Sequence, residues 1–144
     1  MPNAEAAEPL LLDTHCWIWL KSGRRQEFSV TGWAAVEEAG ERSALLVSVI
    51  SIWEVGMLEA KGRIELFMPC DEWIKRALTT PGLALAPLTP DIALDSSRLP
   101  GDLHGDPADR ILVATARRMG ARILTKDRRL IAYGKHGHVK VVRA

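Results

Sequence analysis

Residues 106–130 read DPADRILVATARRMGARILTKDRRL, and the punctuation of this stretch decides the fold. Asp106 followed by Pro107 is an N-cap with proline at the first helical position, where the missing N–H is harmless. The spacing then predicts a helix as far as Met119, stopped by Gly120. Arg122–Thr125 reads as a short strand, and Asp127 separates it from a second helical stretch, Arg128–Tyr133. Helix, strand, acid and helix thus follow one another with almost no linker.

The same alternation extends outward in both directions. Leu10–Leu12 is an apolar run ending at Asp13, with a helical stretch from Thr14 to Leu20 behind it. A helix is expected over Thr31–Ala39 with Gly40 as its C-cap. Leu45–Ile50 reads as a β-branched-rich buried strand leading into a helix over Ser51–Lys61, where Ile52, Val55 and Leu58 recur at helical spacing. Cys70–Thr80 is another helix, Leu83–Leu88 a strand, Thr89–Arg98 a short helix with Pro90 at its first position, and Val139–Val142 a last strand. Short apolar strands separated by helices favour an α/β fold with three layers, α/β/α, around a central parallel sheet. At 144 residues the chain suits one domain. Residues 1–9 read as an N-terminal tail and 10–144 as the domain.

Composition removes several function classes. No run of eighteen apolar residues is present to span a bilayer, and the acidic start MPNAEAAEPL lacks the basic region of a signal peptide. A cytoplasmic protein with no membrane partner is expected. Cys16 and Cys70 are remote from each other and from any Cys/His cluster, which argues against a disulfide framework or structural zinc. No Walker A, G-x-G-x-x-G or G-x-S-x-G motif occurs, and Ser48, Ser51 and His104 form no recognisable nucleophile elbow.

Acidic residues supply the better candidate chemistry. Asp13 follows the first strand, and Glu54 is expected on the first turn of the helix after the second. Asp109 lies on the first turn of the 106–119 helix, and Asp127 follows the Arg122–Thr125 strand. Ligands of open parallel sheets collect at the carboxyl ends of the strands, so four acids from remote parts of the chain share one address. Gathered carboxylates repel unless a cation neutralises them, and an all-oxygen set suits Mg²⁺ or Mn²⁺. Each acid also has a plainer use. Asp106 fits a cap, and Asp109 beside it fits the helix dipole. Asp13 and Asp127 sit where caps would, whereas Glu54 stands in the apolar context VISIWEV and has the weakest capping alternative.

Charge is also unevenly spread. Residues 1–109 hold nine Lys/Arg against seventeen Asp/Glu, whereas 110–144 hold ten against the single acid Asp127. Such asymmetry points to a polyanion surface, and Arg117, Arg118, Arg128 and Arg129 are the candidates to track a polyanion backbone; the plainer use is a solvated helix face. The five tryptophans fit core packing or a protein interface, and Trp17 and Trp19 are expected to give their helix an apolar patch.

The strings LLLDTHCWIWL, SVISIWEVGMLEAKGRIEL, LHGDPADRILVATARRMGARILTKD and IAYG, in this order from Leu10 to about Gly134, resemble PIN-domain proteins of the VapC type, the toxins of bacterial toxin–antitoxin pairs. The resemblance implies a PIN-like α/β/α domain and a metal-dependent endoribonuclease requiring Mg²⁺ or Mn²⁺. It places the family's four acids on Asp13, Glu54, Asp109 and Asp127 and supporting hydroxyls on Thr14 and Thr125. It also implies an RNA substrate, a cognate antitoxin that blocks the site, and a homodimer. Ala108 stands where the family usually has an aromatic, and the N-terminal tail precedes the family's usual start. Two rivals remain in view. A receiver-like phosphotransfer domain also gathers acids and Mg²⁺, but it wants consecutive acids after the first strand, and here Thr14-His15 follow Asp13. A catalytically inactive PIN-like binding module would lack an acid, and all four are present.

Overall fold

The structure, a computed structural model, describes residues 8–144, so residues 1–7 of the expected tail lie outside the described residues. Five strands form one parallel sheet in the order β3-β2-β1-β4-β5. They are β1 (Leu10–Leu12), β2 (Leu45–Ser48), β3 (Leu83–Ala86), β4 (Arg122–Thr125) and β5 (Lys140–Arg143). Between them run α1 (Thr14–Lys21), α2 (Val30–Glu41), α3 (Val49–Ala60), α4 (Cys70–Leu78), α5 (Pro90–Ser96), α6 (Pro107–Met119) and α7 (Arg128–Lys135).

β1 is the central strand, with Leu10 in register with Leu45 on one side and Arg122 on the other. Its three leucines are all fully buried. Leu10 and Leu12 face the layer of Trp17, Val36, Val55 and Trp73, while Leu11 faces the layer of Leu112, Val113, Leu130 and Tyr133. A strand covered on both faces needs apolar side chains at every position rather than at alternate ones. Each such leucine contributes roughly 1.5–3 kcal/mol of burial, which is why so short a strand holds the centre.

The chain builds outward from β1 through β2 to β3, then returns to place β4 on the other side of β1. The crevice where that order reverses opens at the carboxyl ends of β1 and β4. The tail's described end is tied to the opposite edge, where Pro9 accepts a backbone bond from Arg122 and Glu8 pairs with Arg122 and Lys140.

Several expected boundaries move. β2 stops at Ser48, whose hydroxyl accepts from the backbone N–H of Ile50 and starts α3, so Val49 and Ile50 are helical rather than extended. Gly40 lies inside α2, which runs on to Glu41 and is capped by Arg42. β3 ends at Ala86 and α5 spans only Pro90–Ser96. Gly120 does end α6, in the left-handed conformation at φ 64° that glycine adopts without strain. The expected apolar patch on α1 is absent: Trp17 is buried edge-on against Trp73, with ring centroids 5.2 Å apart, and Trp19 is half-buried against Phe28. Both cysteines are free thiols. Among the described residues no helix is long and apolar enough to cross a membrane.

Candidate active site

Asp13 sits where β1 gives way to α1. Its backbone N–H donates to the Leu124 carbonyl at 3.0 Å and so continues the β1–β4 ladder, which fixes the position of the carboxylate. One carboxylate oxygen accepts from the Thr14 N–H at 2.7 Å and the other from the Thr125 hydroxyl at 2.6 Å. The Thr125 oxygen in turn accepts the Asp127 N–H at 2.9 Å. Thr125, the last residue of β4, thereby clamps two acids from opposite ends of the sequence. Asp127 caps α7 through one oxygen, Oδ1, which accepts from Arg129 and Leu130. Capping and site-building coexist here, because a cap engages only part of what a carboxylate can accept.

Glu54 lies on the second turn of α3, not the first, since that helix begins two residues earlier than the sequence predicts. There it meets the start of α1, where the Thr14 hydroxyl hydrogen-bonds Glu54 Oε1. The same hydroxyl lies 2.8 Å from Ser51 Oγ. A carboxylate only accepts, so the single Thr14 proton goes to Glu54 and Ser51 donates to Thr14. Ser51 is fully buried and holds this chain of hydrogen bonds in place. Sequence reasoning weighs Ser51 only as a nucleophile and misses this role. The signal for it is the i, i+3 spacing from Glu54, which puts both on one helix face.

Asp109 is on the first turn of α6, its N–H held by the Asp106 carboxylate at 3.1 Å, so Asp106 is the N-cap. His104 is a second residue whose role sequence reasoning misses. Its Nδ1 accepts from the Asp106 N–H, and its Nε2 lies 3.2 Å from Asp109 Oδ2, close enough for attraction though off-axis for a hydrogen bond.

Burial first, and then the neighbouring carboxylates of Asp13, Asp106, Asp127 and Glu54, push the Asp109 carboxyl up to about 8. Desolvation likewise raises Asp13, partly offset by its bonds from Thr125 and Thr14. Glu54 is raised by desolvation too, with the Thr14 bond opposing. All three shifts have one sense: the site disfavours the negative charge it is built to hold. Among the described residues, no lysine or arginine pairs with any of the four acids.

A divalent cation fits this donor set. The donors are hard oxygens, and the charge they lack is positive. Among the described residues no three side chains are drawn together into a finished chelate. The acids are close enough to raise one another's carboxyls without forming a chelate, which suits an ion that keeps much of its water and takes only one or two protein carboxylates directly.

The arginines divide. Arg128 and Arg129 are exposed on the first turn of α7, directly beside Asp127. Arg117 and Arg118 lie in the last turn of α6, two turns beyond Asp109. Arg117 donates to the His138 carbonyl, and Arg118 pairs with Asp95 at 2.8 Å.

A family model described as the PIN domain matches residues 10–136. The chain is 37% identical to ribonuclease VapC22 of Mycobacterium tuberculosis over 121 residues, covering 84% of this chain and 88% of that protein. In fold it is similar to VapBC2 from Rickettsia felis bound to a promoter DNA fragment, with a TM-score of 0.65, 12% identity and coverage of 92% and 96% of the two chains. The DNA-bound VapBC of Salmonella typhimurium gives a TM-score of 0.64 at 14% identity, covering 94% and 97%. A toxin–antitoxin complex from Klebsiella pneumoniae gives 0.56 at 18%, covering 93% and 96%.

Proposed function

The chain belongs to the PIN-domain family and is a VapC-type ribonuclease, and we propose from that premise that Asp13, Glu54, Asp109 and Asp127 form its active site around Mg²⁺ or Mn²⁺. The observation that carries this reading is the set of four acids at the sheet's switch point, three of them (Asp13, Glu54 and Asp109) desolvated and none paired with a lysine or arginine among the described residues. A bound divalent cation would neutralise these acids, activate a water and polarise a phosphodiester of RNA.

The protein's own side chains have distinct tasks. Thr14 and Thr125 fix the two oxygens of Asp13. The Ser51–Thr14 pair orients Glu54, and the α7 amides hold Asp127. Asp106 positions the helix turn that carries Asp109. Until a cation enters, the raised affinity of Asp109 lets it hold a proton near neutral pH, so metal uptake displaces protons.

The chain acts as the toxin of a toxin–antitoxin pair, and its proposed partners are RNA, a cognate antitoxin and a second copy of itself. The relatives in the Rickettsia and Salmonella structures are VapBC complexes, and the edge strand β3 leaves Leu85 exposed, with Leu88 just beyond it. A cytoplasmic site of action accompanies this reading. The test is cleavage of RNA by the purified protein with Mn²⁺, Mg²⁺ or chelator. Cleavage that persists in chelator would remove the metal from the mechanism.

A further inference from the structure

Trp53 has a setting unlike that of the other four tryptophans. Trp17 and Trp73 pack on each other, and Trp19 and Trp33 pack on Phe28. Trp53 pairs with no ring among the described residues and is 56% exposed. It immediately precedes Glu54 and lines a cleft of about 620 Å³ between α3 and the start of α6. Ile50, Met57 and Pro107 give the cleft apolar walls, Glu54 and Asp106 line it on the acid side, and Lys61 and Arg63 also line it.

Resting on the ribonuclease reading, we infer that this cleft is a nucleotide subsite, with Trp53 stacking on a base next to the cleaved bond and Lys61 and Arg63 taking a neighbouring phosphate. Three features point to RNA as the occupant. The cleft is continuous with the acids where the reacting phosphate must lie, since Glu54 lines both. An exposed indole beside an apolar wall is a stacking platform that tolerates any base. The cations are set apart from the acids: Lys61, at the C-cap of α3, lies seven positions beyond Glu54, roughly 10 Å along the axis. A phosphate therefore meets positive charge without being drawn off the acid site. The sense of charge along the cleft fits a strand whose phosphates repeat and whose bases are flat.

The experiment measures binding of a fluorescent single-stranded 12-nucleotide RNA of mixed sequence to the full chain in chelator, by anisotropy. A series of the same RNA with one abasic nucleotide moved along it is run in parallel. Trp53→Ala is expected to weaken binding about tenfold, and Trp53→Phe to restore most of the loss. One abasic position should weaken wild type similarly and leave Trp53→Ala no weaker than before. Replacing Lys61 and Arg63 by glutamine should flatten the salt dependence by about 0.7 in slope for each phosphate no longer neutralised.

Equal RNA affinity in Trp53→Ala and wild type, or a weakening indifferent to the abasic position, overturns the subsite. So does a Trp53→Ala protein that keeps RNA but loses its antitoxin, which would give the cleft to a protein partner. Cleavage by wild type in Mn²⁺ separates the two levels. Active enzyme with an indifferent Trp53 sinks the subsite alone, whereas no cleavage and no RNA binding by wild type sinks the ribonuclease reading with it.

Discussion

The two ends of the sheet treat charge in opposite ways. At the amino end, Glu8 lies between Arg122 and Lys140, and at the far end of α6 Arg118 meets Asp95 and Arg117 a backbone carbonyl. Charge there is neutralised locally and half exposed, where such pairs contribute at most about 1 kcal/mol each. At the carboxyl end, half-buried acids gather and are held by hydroxyls and amides rather than by cations. Neutral donors orient a carboxylate without cancelling its charge. The difference teaches that α6 handles charge differently at its two ends: Arg118 is paired with Asp95, whereas Asp109 has no lysine or arginine partner among the described residues.

The sharpest way to break this contrast is to remove a charge from each end. Asp13→Asn should lower RNA cleavage by orders of magnitude with folding intact, whereas Arg118→Gln should leave the rate near wild type. Single-turnover cleavage of labelled RNA measures both. A wild-type rate in Asp13→Asn removes that acid from the site.

Metal linkage separates the ends next. Saturating Mn²⁺ at a hundredfold over its dissociation constant should stabilise wild type by about 2.7 kcal/mol. Glu54→Gln should gain clearly less, and in chelator it should be at least as stable as wild type, because it relieves repulsion. Thermal melts with and without metal test this; equal metal-induced gains would take Glu54 out of the ligand set.

The pH dependence follows from Asp109. Its folded carboxyl titrates at about 8 against an ordinary 3.8, so the native state holds a proton that the unfolded chain has released. Stability is therefore full below about pH 4 for this group and is lost as pH rises toward about 8. In chelator, denaturant unfolding should show declining stability across that window, and Asp109→Asn should flatten the decline. A rising profile unaltered by the substitution would contradict the burial of the charge.

The smallest effect concerns the arginines. Arg128→Gln or Arg129→Gln, beside Asp127, should flatten the salt dependence of RNA binding by about 0.7 in slope. Arg117→Gln and Arg118→Gln should leave it unchanged, and Arg118→Gln should alter stability by no more than about 0.5 kcal/mol. Anisotropy titrations at several salt concentrations decide it, and a slope moved by Arg118→Gln would erase the division between the ends.

Much of this was written in local chemistry. The three leucines of β1, the Asp106-Pro107 start and Gly120 stop of α6, and an acid after β1 and β4 are features that backbone sterics, capping and two-sided burial impose within a few residues. They determined the parallel α/β fold and the addresses of Asp13, Asp109 and Asp127. Only the tertiary structure decided that Ser48 turns Val49-Ile50 into helix, because a β-branched apolar pair suits a buried strand or a buried helix equally. That shift in the helix start carries Glu54 to Thr14 and turns Trp53 outward. The tertiary structure also decided which arginines stand by the acids, since a helix separates residues along its axis that composition counts together. The hydroxyl bridges from Thr14 to Ser51 and from Thr125 to Asp13 span 37 and 112 residues of chain, and contacts at such separation follow from packing the whole sheet, which no local pattern encodes.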